Sequence, residues 1–166
     1  MSRRIEHSSS FPFSADQVHA AFTNEQYWRD RLAQVGGSNP ELTDFSVSDS
    51  GTVTVAMTQS ILAADLPPMV TMVRPGDLVI KRTATWAPLE GGQATGTFTA
   101  EVEGTPARVT GTQTLATVGE GSAVSYDGAA EVKIPLVGGK IESAVADEIV
   151  KLLEREDEFT GQWLAG

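Results

Sequence analysis

The side chains that could do chemistry here are few, and each sits on a face whose other members are apolar or small. From Leu78 onward every second residue reads Leu78, Ile80, Arg82, Ala84, Trp86, so Arg82 is the charge on that face. The same spacing gives Val109, Gly111, Gln113, Leu115, and further on Val124, Tyr126, Gly128, Ala130. Near the N-terminus Ile5, His7, Ser9 and Phe11 share a side. A polar group carried inward costs free energy unless something pairs with it. Arg82 could fix a ligand carboxylate or phenolate. Equally, it could reach water past the sheet's end, or pair with an acid such as Asp49. Tyr126 and Gln113 could hydrogen-bond a polar group on an apolar ligand or polarise a carbonyl; the alternative is satisfaction by backbone or by each other. His7 could be a general base, since imidazole titrates near neutrality. It could also be a half-buried ring bonded to one carbonyl, and the sequence offers it no identifiable acid partner. His19, on a short surface helix, is a weaker candidate still.

Much chemistry is excluded by composition. There is no cysteine, so thiolate catalysis and disulfides are out. Two histidines outside any H-E-x-x-H pattern do not make a metal site. No G-x-S-x-G elbow occurs. Gly138-Gly139-Lys140 is not a phosphate loop, because the first glycine would fall at Ile134 and Ile141 follows the lysine. No catalytic residue, metal or cofactor is therefore assigned. The net charge of −10 repels phosphate backbones and anionic membranes alike, so nucleic acid is not an expected partner. No stretch approaches a membrane span, and the first residues lack the apolar core of a secretion signal. A cytoplasmic protein without stable membrane insertion is the expectation.

The elements that must position these side chains follow from periodicity. Arg3 to Phe11 alternates as a strand and Pro12 ends it. Ser14 and Gln17 have capping-box spacing before a short helix through Phe22. Thr23 or Asn24 caps a second helix, with Trp28, Leu32 and Val35 on one side and Gly36-Gly37 as its stop. Six strands follow, over 42–49, 52–60, 77–87, 93–103, 107–118 and 122–134. Pro68 opens a helical turn over 69–73 between the second and third of these. Threonine and charge line one face of the strands, while apolar or small residues line the other, as in an antiparallel sheet wet on one side. Pro135 ends the last strand. A long helix from about Gly139 to Trp163 then carries the stripe Ile141, Val145, Ile149, Leu152, Phe159 and Trp163. On this reading Glu142 and Asp157 lie mostly off the stripe, and the run 154–158 is a solvated face. Sheet face and helix stripe bury each other in one α+β domain over residues 1–166.

The inward positions of the later strands are unusually small: Ala84, Gly96, Ala100, Gly111, Gly128 and Ala130. A core that filled itself would tend to place larger side chains there. They predict a ligand-sized cavity, with a closely packed helix or sheet bends as the alternatives. Met57, Arg82, Trp86, Phe98, Gln113, Tyr126, Val145 and Ile149 are its expected lining. The segment 67–73 and the helix around Trp28 are its expected gate.

Strand, two short helices, six strands and a long C-terminal helix resemble the helix-grip fold of the START-like and pollen-allergen-like superfamily. The junction Ile134-Pro135-Leu136-Val137-Gly138-Gly139-Lys140-Ile141, the pair Pro67-Pro68 and Trp86 at a strand end look like an actinobacterial branch of it, itself a domain of unknown function. The resemblance implies a curved seven-stranded antiparallel sheet around the long helix. Functionally it implies non-catalytic binding or carriage of a small hydrophobic or amphipathic molecule: a lipid, an acyl chain or a polyketide-like aromatic. Two alternatives stand beside this. One is a cyclase or dehydratase-like enzyme using Arg82, Tyr126, Gln113 or His7. The other is a protein-interaction module with a filled interior and an apolar patch near Phe159, Trp163 and Leu164.

Overall fold

In a computed structural model the described residues are 2–37, 39–73 and 75–166, with Val73 described by its backbone alone. Strand β1 spans Ser2–Phe11. Helix α1 (Ala15–Phe22) follows. Its capping box forms as the spacing predicts: Gln17 N–H donates to Ser14 Oγ at 3.2 Å, and Ser14 N–H to Gln17 Oε1 at 3.0 Å. Ser14→Ala should therefore lower stability by about 1 kcal/mol, read as a shift in the urea midpoint. An unchanged midpoint would mean that water caps this helix as well as serine does.

Helix α2 (Glu25–Val35) takes Asn24 as its cap. Then come β2 (Glu41–Val47), β3 (Val53–Ile61), a 3-10 turn (Ala63–Asp65), α3 (Pro68–Val73), β4 (Leu78–Trp86), β5 (Gln93–Val102), β6 (Ala107–Val118) and β7 (Gly121–Val132). Helix α4 (Gly138–Ala165) closes the chain. Every strand pairing is antiparallel, in the order β1-β7-β6-β5-β4-β3-β2. The fold is the α+β helix-grip arrangement that the resemblance implied. Helix α4 packs chiefly over β1 and β7 and against α2. No helix among the described residues is long and apolar enough to cross a membrane.

Two boundaries and three burials differ from the sequence reading. Strand β7 ends at Val132, not Ile134, and α4 begins at Gly138. The reason is Glu142. Its buried carboxylate accepts from Val132 N–H at 2.9 Å and ends the ladder there, so Glu142 is a strand cap and not a surface residue. The run 154–158 is not a uniformly solvated face either, because Glu156 and Asp157 are buried.

The small inward residues do not leave a ligand-sized void. One row across the sheet reads Ala84, Phe98, Gly111, Gly128, Ile5. The Phe98 ring lies across the glycine pair. A Cβ added at Gly111 would sit 2.5 Å from Phe98 Cζ, and one at Gly128 would sit 2.9 Å from it. The glycines are there so that an aromatic ring can occupy the concave face.

Candidate functional site

The buried polar residues of this interior form two adjoining clusters under α4. The first is built on Glu156, which is 2% exposed. Its carboxylate lies between two guanidiniums, Arg31 from α2 and Arg82 from β4. Arg82 also binds it through Nη2 at 3.0 Å and donates through Nη1 to Gln59 Oε1. Arg31 lies over the Trp28 ring, 4.6 Å from its centroid, as a cation–π contact. Burial works against the charge on Glu156, but the two arginines outweigh it and hold its pKa below the ordinary glutamate value. Burial also opposes the Arg31 charge, and Glu156 restores it, leaving that pKa raised.

The second cluster centres on Asp157. Ser9 donates to Oδ2 at 2.6 Å, His7 Nε2 lies 2.9 Å from the same oxygen, and Tyr126 donates to Oδ1 at 3.2 Å. His7 and Tyr126 face each other directly across β1 and β7, with their rings stacked at 5.9 Å. Burial raises the Asp157 pKa despite the hydrogen bonds from Ser9 and His7. Burial, and then the Asp157 charge, push the Tyr126 phenol well above its ordinary value. Neighbouring Tyr27 and Thr160 extend the network, since Tyr27 bonds Thr160 at 2.5 Å and Thr160 donates to the Glu156 carbonyl at 2.8 Å.

These contacts decide between the sequence readings of the polar candidates. Arg82 pairs with Glu156 rather than Asp49. His7 does have an acid partner, Asp157, brought from 150 residues away. Gln113 is satisfied by backbone: its Nε2 donates to Thr85 O at 2.9 Å and Thr97 O at 3.3 Å. His19 bonds the Ala87 carbonyl at 2.9 Å. Trp28 is no gate, being 1% exposed and bonded through Nε1 to Phe22 O. Phe159 is buried, and Trp163 and Leu164 pack against the core, so no exposed patch forms there.

Of the expected cavity lining, Arg82, Trp86, Phe98, Gln113 and Tyr126 do meet. They surround, with Arg31, a cavity of about 20 Å³. That is room for one water molecule, not a ligand. Met57 is in the packed core beside Arg82. Val145 and Ile149 belong to a different place, an apolar slot between α4, β4, β5, β6 and α3. Ile61, Leu66, Val70, Ile80, Ala100 and Ala144 also line it. Its volume is about 30 Å³. Leu66 and Val70 close it on the side of the 67–73 segment.

Beside the slot lies an open cleft of about 470 Å³. The end of α2, the end of β3, the 3-10 turn and α4 form its walls. Its polar lining includes Gln34, Gln59, Ser60, Asp65, Lys151 and Arg155. Slot and cleft share Ile61, Ile80 and Glu148 as lining, so the two adjoin. Among the described residues no group of three or more His, Asp or Glu side chains is arranged to hold a metal ion.

The profile of a family described as a protein of unknown function (DUF2505) matches residues 6–164. An uncharacterised protein of Mycobacterium tuberculosis is 31% identical over 170 residues, covering 99% of this chain and 98% of that protein. Among solved structures, a protein from Thermus thermophilus superposes with a TM-score of 0.65 at 14% identity, over 98% of this chain and 97% of that one. A START superfamily protein from Mycobacterium smegmatis superposes with a TM-score of 0.54 at 11% identity, over 97% of this chain and 98% of that one. At such identities the structural likeness bears on fold alone.

Proposed function

This chain belongs to the DUF2505 family, and from that premise and the geometry above we propose that it binds one small amphipathic molecule, its apolar part in the slot and its polar end in the cleft. The observation that carries the reading is the shared lining. The slot is almost wholly apolar, while the cleft beside it falls within the roughly 300–1,000 Å³ typical of small-molecule sites. The START-like fold supports a ligand-binding role in the same direction. The slot at about 30 Å³ does not hold an alkyl chain, so Leu66 and Val70 must swing aside for one to enter. They sit on a segment suited to that, with Pro67-Pro68 leading into a helix of 6 residues. A cyclase-like reaction in the slot would need an acid or base there. Among the slot's lining residues Glu148 is the carboxylate, and Lys151 pairs with it at 3.4 Å.

The test is a titration with medium-chain amphiphiles followed by two-dimensional NMR. Saturable amide shifts are expected at Ile61, Leu66, Val70, Val145 and Ile149. Ala100→Leu, which pushes a side chain into the slot, should weaken binding by about tenfold or more, since the chain and the leucine compete for one volume. Shifts scattered over the surface, or unchanged affinity in a folded Ala100→Leu protein, would sink the reading.

A further inference from the structure

The cleft's floor holds a donor with a fixed direction. Gln59 is 3% exposed and lines the cleft. A side-chain amide at such a position can usually be turned either way, but here Arg82 decides. A guanidinium only donates, so it must face the amide oxygen, and Arg82 Nη1 does bond Gln59 Oε1. The amide N–H groups then point away from the arginine. Among the described residues nothing accepts from them, nor are they sealed from the cleft. Arg155 lines the same cleft and is exposed, and among the described residues no acid pairs with it. Two further carboxylates face this space. Glu148 is taken by Lys151, and Asp65 is exposed on the 3-10 turn. Apart from the Ser60 hydroxyl, which can donate or accept, the positions open to a ligand at the floor and on α4 are thus N–H donors.

We infer that the polar end taken by the cleft is a carboxylate, one oxygen accepting from the Gln59 amide and the other from the Arg155 guanidinium. The inference rests on the reading that slot and cleft take one amphipathic molecule. Its content is the head group. A carboxylate is an acceptor only and matches both donors, an alcohol matches one of them, and an ammonium matches neither. The buried ion cluster gains a role from this. Arg82, held by Glu156, sets which way the Gln59 amide faces.

Three ligands with one chain separate the head group from the tail: decanoate, 1-decanol and decylamine, titrated near neutral pH. Decanoate should bind about tenfold more tightly than decanol, the worth of a charge-assisted hydrogen bond at a part-exposed site. Arg155→Gln should bring decanoate down to the level of decanol and leave decanol unchanged, and Arg155→Lys should keep part of the preference. Arg155 is exposed, so neither variant threatens the fold. If all three ligands bind and decanol or decylamine equals or exceeds decanoate, the carboxylate assignment falls while slot binding stands. If decanoate binding ignores Arg155→Gln, the assignment falls as well. If none of the three binds, the reading of the slot itself is lost.

Discussion

Glu156→Gln is expected to cost about 3–5 kcal/mol of stability, the usual result of stripping one partner from a buried ion cluster. In a protein of this size that is a melting point lower by about 6–20 °C. The substitution keeps the side chain's shape and removes the charge that two guanidiniums share. Arg31 is only 7% exposed, so its charge cannot simply turn to water. Glu154→Gln, two residues away on the exposed side of α4, should change stability by no more than about 0.5 kcal/mol. The pH dependence supplies a second readout. The pKa of Glu156 is depressed in the folded protein, so its contribution is complete above the ordinary glutamate pKa and is lost as pH falls through the folded value. Asp157 has the opposite sign. Its pKa is raised, so its share is complete below the ordinary aspartate pKa and is lost as pH rises through the folded value. Glu156→Gln should accordingly flatten the acid limb of the stability curve. A loss under about 1 kcal/mol, with the acid limb unchanged, would mean that water already solvates the arginines. Replacing all three ionic side chains by apolar ones need not destabilise. That is a reason to look for the cluster's value in the amide it orients rather than in stability.

Gly111→Val should cost about 3 kcal/mol, the upper end of what overpacking a close-packed interior does. Its Cβ would lie 2.5 Å from Phe98 Cζ, 2.6 Å from the Asp127 carbonyl oxygen and 2.7 Å from Gly128 Cα. Two of these neighbours are backbone and cannot give way as a side-chain tip can. Phe98→Leu removes the third. The double variant should therefore recover about 1 kcal/mol relative to the sum of the single ones, a coupling typical of residues in contact. Urea denaturation of the four proteins measures it. Strict additivity would mean that Phe98 does not lie over the glycine pair.

Fold was largely legible because its signals are local. Alternation in the strands, capping residues and turn glycines each depend on a few neighbouring positions. The helix stripe is legible too, except for one step. Between Leu152 and Phe159 the helical spacing lands on Glu156, and a carboxylate within the charged run 154–158 reads as solvated rather than as the buried partner of two arginines. The same holds for Arg31, which follows Trp28 by one turn, and for Gln59, one alternation beyond Met57. The signal in each case was position, and composition outweighed it. Pairing was beyond reach. Nothing local tells His7 that its acid is Asp157, or Arg82 that its acid is Glu156. The cavity expectation missed for a related reason. Small residues tell of space at their own positions, whereas what fills it comes from the neighbouring strand, here Phe98. Val145 and Ile149 stand out on the helix stripe, but the slot they line closes on Leu66 and Val70, which no periodic pattern singles out.

The pairing of β1 has a kinetic consequence. Its strand neighbour is β7, and its polar residues His7 and Ser9 are held by Asp157 of α4. Residues of β1 thus find their partners on elements more than a hundred positions later in the sequence. Strands β2 to β7 are each joined to the next in sequence and can zip as they emerge, but the Asp157 cluster waits for β1 and α4 to meet. Contacts so distant in sequence close slowly, because the intervening loop's entropy must be lost before they repay it. Until then the β7 edge stands open, and in a nascent chain an unpaired edge is where a wrong strand can add.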